Sequence, residues 1–271
     1  MLQRNFYLIG HNPNTIEAVK ECMSRGMNAI EPDVSFHKDM PEKFYVHEDI
    51  AQIPNFIEHL FWGKFPSLKE YLTGLKNLLK ENPSFDLKMI LFDLKKDYEY
   101  DINDLYKIIR ENFSNEYPHI KILTSMNVPD EISFLGNLKD QRQNEFLGMD
   151  ENTEPEYVHE FFKDKNLKYF FAAGTSLFST TVGKFTGRIE RALNIRDDAN
   201  TESEYGSKNK SGFSFVYPWC VNHESSMREY LDMPGGIDAM LTDEPERLIA
   251  LLNSEEYKNR FRIKWDDKLN T

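Results

Sequence analysis

Cysteine is nearly missing from this 271-residue chain: Cys22 and Cys220 are the only two, far apart in sequence. That excludes a dense disulfide framework and a cysteine-rich metal site, and two unpaired buried thiols are expected. Long apolar runs are missing too. No segment approaches the roughly 18 apolar residues of a membrane span. The start, Met1-Leu-Gln-Arg-Asn-Phe-Tyr-Leu-Ile-Gly10, enters a strand pattern with no signal-peptide stretch. The expectation is a soluble chain that is cytoplasmic or supplied without its targeting segment. Positive charge is in deficit, with 33 Lys and Arg against 45 Asp and Glu and a net charge of −12. A nucleic-acid partner needs a basic face, and adhesion to anionic lipid needs a basic patch, so neither is expected. No glycine-rich phosphate loop follows any strand pattern, which argues against an open dinucleotide-binding sheet.

What is present is enough for a sizeable core: 40% apolar residues, with 20 Phe and 13 Tyr. Short apolar runs alternate with helical periodicity throughout. Strands are expected at 6–9, 28–34, 88–93, 120–125, 144–149, 169–172, 214–218 and 239–242, with a further extended piece at 43–46. Helices are expected at 14–24, capped by Asn14 and ended by Gly26, and at 68–79, 102–112, 129–136, 157–166, 225–233 and 245–252. Eight strand–helix units without a composition break predict an α/β fold, a closed (β/α)8 TIM barrel forming a single domain over residues 1–271. Two connections, about 48–66 and 181–212, are long enough to be lids or binding loops. The first carries Phe56, Phe61, Trp62 and Phe65, which either pack onto the barrel or meet lipid.

Chemistry gathers at the strand ends. Glu31 and Asp33 are two residues apart and so share a face, at the end of an otherwise apolar strand. Acids ending a buried strand need a cation. Asp93, closing Met89-Ile-Leu-Phe-Asp93, adds a third hard oxygen donor, a set that suits Mg2+ or Ca2+ better than zinc. Mg2+ is preferred because it usually leaves room for a substrate phosphate, and one ion is expected. His11 and His47 end strand-like runs near the acid pair and are candidate acid, base or nucleophile. His37, His59, His119, His159 and His223 read as surface or supporting residues. By default Lys95 is a solvated lysine and Trp219 a core residue. Together the residues imply a metal-dependent phosphodiester enzyme.

The same residues resemble a known family. His11-Asn-Pro-Asn-Thr-Ile-Glu-Ala-Val19, Gly26-Met-Asn-Ala-Ile-Glu-Pro-Asp-Val-Ser-Phe36 and His47 are similar to the glycerophosphodiester phosphodiesterase superfamily. Asn-Pro after His11, the short interval to Asp93, Phe92-Asp93-Leu94-Lys95 and Val216-Tyr-Pro-Trp-Cys-Val221 resemble its sphingomyelinase D/phospholipase D branch. Tyr257-Lys-Asn-Arg-Phe-Arg-Ile-Lys-Trp-Asp-Asp267 is similar to the tail that plugs the barrel base in that branch, so a tail over about 257–271 is expected there. The resemblance implies Glu31, Asp33 and Asp93 on Mg2+, phosphoryl chemistry by His11 and His47, phosphate binding by Lys95 and a headgroup or lipid pocket lined by Trp219. Asp243 stands where the branch often has an asparagine that orients the first histidine, and Asn222 where it has a carboxylate. The loop disulfide of the venom enzymes has no counterpart, because 48–66 contains no cysteine.

The implied activity is release of the headgroup from sphingomyelin or lysophospholipids, with the substrate's own hydroxyl giving a cyclic phosphate. The alternatives are a glycerophosphodiesterase on soluble diesters and an inactive lipid-binding relative. The implied partner is a phospholipid or sphingolipid substrate at a membrane surface, met by a monomer. The resemblance implies secretion, whereas the N-terminus carries no signal peptide, leaving a cytoplasmic place open.

Overall fold

The computed structural model describes residues 3–38, 42–47, 65–95, 100–126, 132–149, 153–174, 182–204 and 212–265, with backbone alone at 182–186 and 200–204. Its strands are β1 (Arg4–Asn5), β2 (Tyr7–His11), β3 (Ala29–Glu31), β4 (Asp33–Phe36), β5 (Phe44–Val46), β6 (Met89–Leu94), β7 (Lys121–Met126), β8 (Glu145–Met149), β9 (Tyr169–Gly174), β10 (Phe213–Trp219), β11 (Ala239–Thr242) and β12 (Phe261–Arg262). β11, β2, β3, β6, β7, β8, β9 and β10 lie side by side in that order, each parallel to the next. Asp238 N donates to Val216 O (3.0 Å) and Val221 N to Leu241 O (2.9 Å), drawing β10 against β11. The result is the expected barrel of eight strand positions, nearly closed. Pro32 divides the second position. β3 pairs with β6 at Ala29 and Ile30, and β4 resumes at Asp33 and Val34. Proline has no N–H to give a ladder, so a break there is the natural outcome.

Strand alternation sorts the core into two layers. Tyr7, Ile9, Ala29, Met89, Leu91, Leu123, Phe146, Phe170, Ala172, Phe215, Tyr217, Ala239 and Leu241 form the cluster inside the barrel. Their neighbours Leu8, Ile30, Ile90, Phe92, Ile122, Leu147, Phe171, Val216 and Met240 join the cluster beneath the helices. The inward parity continues one step past the apolar residues. His11 follows Ile9, Glu31 follows Ala29, Asp93 follows Leu91, Ser125 follows Leu123, Trp219 follows Tyr217 and Asp243 follows Leu241. One end of the barrel is therefore lined by polar side chains. It is the C-terminal end, where barrel active sites lie.

The helices are α1 (Ile16–Ser24), α2 (Leu68–Glu81), α3 (Ile102–Ile109), α4 (Ile132–Leu135), α5 (Pro155–Asp164), α6 (Val182–Glu204), α7 (Glu224–Leu231) and α8 (Pro245–Leu252). Three expectations need correction. α1 is capped by Thr15, whose hydroxyl accepts from Ala18 N (3.2 Å), and not by Asn14, whose side chain turns to Asp33. Gly26 does follow α1, at φ 91°, a left-handed turn that favours glycine. Residues 181–212 are no long loop, because most of them form α6. Ile189, Ala192, Leu193 and Arg196, spaced as one helical face, are buried. Arg196 pairs with Asp238 (2.5 Å), and this buried cation on the apolar face hides the helical pattern from a hydropathy reading. Cys22 and Cys220 are free, as expected, but half-buried.

At the opposite end the tail closes the barrel as expected. β12 pairs with β1, and Trp265 is buried in the inner cluster, edge-on to Tyr7 at 5.2 Å. Lys88 Nζ lies 5.4 Å from the indole centre. Residues 48–64 of the first long connection, with Phe56, His59, Phe61 and Trp62, lie outside the described residues. Among the described residues no helix is long and apolar enough to cross a membrane.

Candidate active site

Three carboxylates converge at the polar end of the barrel. Oxygens of Glu31, Asp33 and Asp93 lie within 4.8 Å of one another, and all three residues are buried. The break at Pro32 makes this possible, because β4 pairs Asp33 with Asp93 across the same sheet that ends in Glu31. Each acid is held by neutral donors. Glu31 Oε2 accepts from Asn12 N (3.1 Å), Asp33 Oδ2 from Asn14 Nδ2 (2.8 Å) and Asp93 Oδ1 from Ser125 Oγ (3.1 Å). Asn12, at φ 52°, can turn its amide nitrogen to Glu31 Oε2 (3.1 Å) and Asp33 Oδ2 (3.2 Å). Asparagine is among the few residues that accept this backbone readily.

Among the described residues one cation enters the group. Lys95 Nζ lies 2.8 Å from Asp33 Oδ1 and also bonds Asp93 Oδ2. Were all three carboxylates ionised, the one ammonium would leave two negative charges uncompensated. Burial, then the charges of Asp93 and Asp33, push the Glu31 carboxyl well above the usual range. Burial also raises Asp33, against the opposing charge of Lys95. Burial works to lower Lys95, but Asp93 and Asp33 outweigh it and hold the ammonium above its ordinary value. A divalent cation fits this deficit in charge, and all-oxygen donors suit a hard ion.

The two histidines reach the same end by different routes. His11 ends β2 beside Glu31, and its Nδ1 lies 3.0 Å from Asp243 Oδ1. Asp243 Oδ2 accepts from Asn222 Nδ2 (2.8 Å) and from Cys220 Sγ (3.3 Å). Burial works to raise Asp243, but hydrogen bonds from Asn222, His11 and Cys220 outweigh it and hold the carboxyl below its usual value. Relative to the motif that the sequence resembles, carboxylate and amide have exchanged strands, and the acid now meets the imidazole directly. His47 follows β5, the outer strand of the antiparallel pair Val34↔Val46, Ser35↔Tyr45 and Phe36↔Phe44. Its Nε2 lies 2.9 Å from His37 Nε2, and its ring stacks on Phe65 at 4.4 Å.

Trp219 ends β10, packed against the inner cluster, with its Nε1 buried and lacking a hydrogen-bond partner among the described residues. Gly174 lets it sit there, since a Cβ at that position would lie 1.3 Å from Trp219 O. All eight residues singled out in the sequence thus lie at one end of the barrel. Asn12 and Ser125 join them without having been singled out, and Asn14, His37, Phe65, Cys220 and Asn222, noted in the sequence for other reasons, join them as well. Of these, Asn12 and Asn14 had a readable signal, as polar residues directly after a candidate base. The rest are brought in by strand register.

The barrel fold is shared with solved structures of glycerophosphodiester phosphodiesterases. The solved structure of such an enzyme from Agrobacterium tumefaciens is similar at a TM-score of 0.55 and 14% identity, over 93% of this chain and 100% of that one. One from Thermotoga maritima is similar at a TM-score of 0.51 and 18% identity, over 92% and 99%. Within that fold the family is defined by sequence: the model described as "Dermonecrotic toxin SPH" matches residues 1–268, and the chain belongs to this family. Dermonecrotic toxin LsSicTox-alphaIA1 of Loxosceles similis is 26% identical over 96% of this chain and 94% of its own length. Dermonecrotic toxin LspiSicTox-betaIII2 of Loxosceles spinulosa is 28% identical over 95% of each. The motif resemblance and the expected barrel are both borne out.

Proposed function

We propose that this chain is a Mg2+-dependent phospholipase D of the sphingomyelinase D type, releasing the headgroup from sphingomyelin or lysophospholipids. The observation that carries the reading is the carboxylate trio, two charges short of neutrality when fully ionised with Lys95 counted, at the same barrel mouth as His11 and His47. Glu31, Asp33 and Asp93 would hold one Mg2+, which when bound supplies Lewis-acid stabilisation of charge on a phosphate oxygen.

The chain's own residues supply the rest. Asp243 holds His11 at Nδ1, which leaves Nε2 to take a proton from the attacking hydroxyl. That hydroxyl belongs to the substrate. Its oxygen bonds phosphorus as the bond to the headgroup oxygen breaks, giving a cyclic phosphate. His47 gives the departing oxygen its proton, and His37, in contact at Nε2, is placed to restore it. An internal hydroxyl is held at high effective concentration and outcompetes water. Lys95 presents positive charge to the phosphate, and Trp219 Nε1 offers a donor in an apolar wall. His11 is read as base and His47 as acid.

The test is headgroup release from a panel of choline and ethanolamine sphingolipids and lysolipids, in Mg2+ and in excess EDTA, with phosphorus NMR during early turnover. The expected result is EDTA-sensitive release with a cyclic phosphate signal first. Equal rates in EDTA would refute the metal-dependent reading. The linear monoester alone at every time would refute internal attack, and strong preference for glycerophosphocholine would give the chain to soluble diesters.

A further inference from the structure

A second group of metal-ligating atoms lies beside the first and has different chemistry. A ring nitrogen of His11, Cys220 Sγ and an Asp243 carboxylate oxygen all fall within 4.8 Å of one another. They come from three adjacent strand ends, the last residue of β2 and the residues directly after β10 and β11, so barrel register fixes their approach. Two hydrogen bonds hold them now: His11 Nδ1 to Asp243 Oδ1 at 3.0 Å and Cys220 Sγ to Asp243 Oδ2 at 3.3 Å. Asn222 braces the group, its Oδ1 accepting from Asp243 N (2.9 Å) and Thr242 Oγ1 (3.0 Å) while its Nδ2 holds Asp243 Oδ2. The side chains of His11 and Asp243 are 32% and 52% exposed, so an ion can arrive from solvent.

We propose that His11, Cys220 and Asp243 form a binding site for a borderline-soft divalent cation, Zn2+ above all, and that its occupation switches the enzyme off. Imidazole nitrogen, thiolate and carboxylate are the donor types of three-ligand zinc sites, with the fourth position left to water. The all-oxygen trio suits a hard ion, so the two sites sort zinc from magnesium by donor softness. The ion takes the place of the two hydrogen-bond protons. Cys220 releases its thiol proton to solvent, and zinc with one thiolate and one carboxylate forms a neutral unit. The thiol is reluctant by itself, since burial and then the Asp243 charge push it up to about 12. Zinc binding is therefore expected to tighten as pH rises.

The inhibitory part rests on the proposed function, in which His11 Nε2 takes the hydroxyl proton. Zinc on Nδ1 places the ring's remaining proton on Nε2 and removes that base. Binding itself does not depend on this reading, and the two are tested apart.

Co2+ is the probe for binding. Titrated into the full chain in excess Mg2+, it is expected to give a thiolate-to-cobalt charge-transfer band in the near ultraviolet and tetrahedral bands in the visible, both erased by Zn2+. Cys22→Ser should keep the charge-transfer band and Cys220→Ser should lose it. Asp243→Asn should weaken cobalt binding by about 10-fold or more, which guards against a misfolded cysteine variant. No band in the parent chain, or a band surviving Cys220→Ser, would overturn the site. Headgroup release is then measured with Zn2+ in excess Mg2+, each variant against its own zinc-free rate. At least 10-fold inhibition of the parent, relieved in Cys220→Ser, is expected. Cobalt binding with full turnover in zinc would overturn the switch. Cobalt binding without turnover on any diester would overturn the proposed activity and leave the site standing.

Discussion

Among the described residues two glutamates are buried in the walls of this barrel, and their surroundings are opposite. Glu145, at the start of β8, is completely buried and meets the Arg110 guanidinium through both oxygens, at 2.7 and 2.6 Å, with Arg142 N adding a third bond. Glu31, at the end of β3, is also buried, yet its neighbours are Asp33 and Asp93, and Lys95 bonds those two instead. The fold therefore has the means to neutralise a buried acid, matches Glu145 with its own cation and leaves the acids of the mouth to share Lys95. A buried carboxylate without a cation is costly, so its persistence at the mouth marks a place for a ligand of opposite charge.

The comparison breaks most sharply under substitution. Glu31→Gln should lower headgroup release by about 1,000-fold or more, because it removes a ligand from a site that stabilises developing charge. Steady-state rates in Mg2+ check this, and a loss below 10-fold would detach Glu31 from the chemistry. Arg110→Met should do the reverse: destabilise by about 3–4 kcal/mol, since Glu145 is left buried and unpaired, with turnover per folded molecule unchanged. Denaturant midpoints and an active-fraction assay read the two effects.

The same Glu31→Gln change should stabilise the metal-free protein, by about 1–3 kcal/mol at neutral pH. The sign follows from the raised Glu31 value. Above the ordinary glutamate range the folded chain binds more protons than the unfolded one, so this contribution to stability is lost as pH rises through the raised value. In EDTA the advantage of the variant should shrink as pH falls toward about 4.3. Melting curves across that interval would show it. The smallest effect is expected at Asp243→Asn, about a 10-fold fall in kcat with KM little changed, because an amide still bonds His11 Nδ1 but without charge.

Legibility in the sequence followed the same division. The barrel strands were readable because each carries a short, mostly apolar run, as in Met89-Ile-Leu-Phe, and the acids were readable because they end such runs. Asn14 was misread because one asparagine suits both a helix cap and a carboxylate partner, and only the fold puts Asp33 within reach. α6 was misread because its buried face includes Arg196, whose partner Asp238 lies 42 residues away. His37 was read only as a surface or supporting residue and Cys220 only as a buried thiol, because their partners, His47 and Asp243, are set by strand pairing. Local pattern reveals backbone and burial. Side-chain networks that cross strands depend on register.

The central claim is that the uncompensated charge at the mouth is a cation site. It is tested most directly by the melting temperature of the parent chain and of Glu31→Gln as Mg2+ is added to metal-free protein. With free Mg2+ about 100-fold above its dissociation constant, the parent should gain about 2.7 kcal/mol, a rise of about 5 °C, while the variant stays nearly flat. An equal rise in both, or none in the parent, would contradict the account.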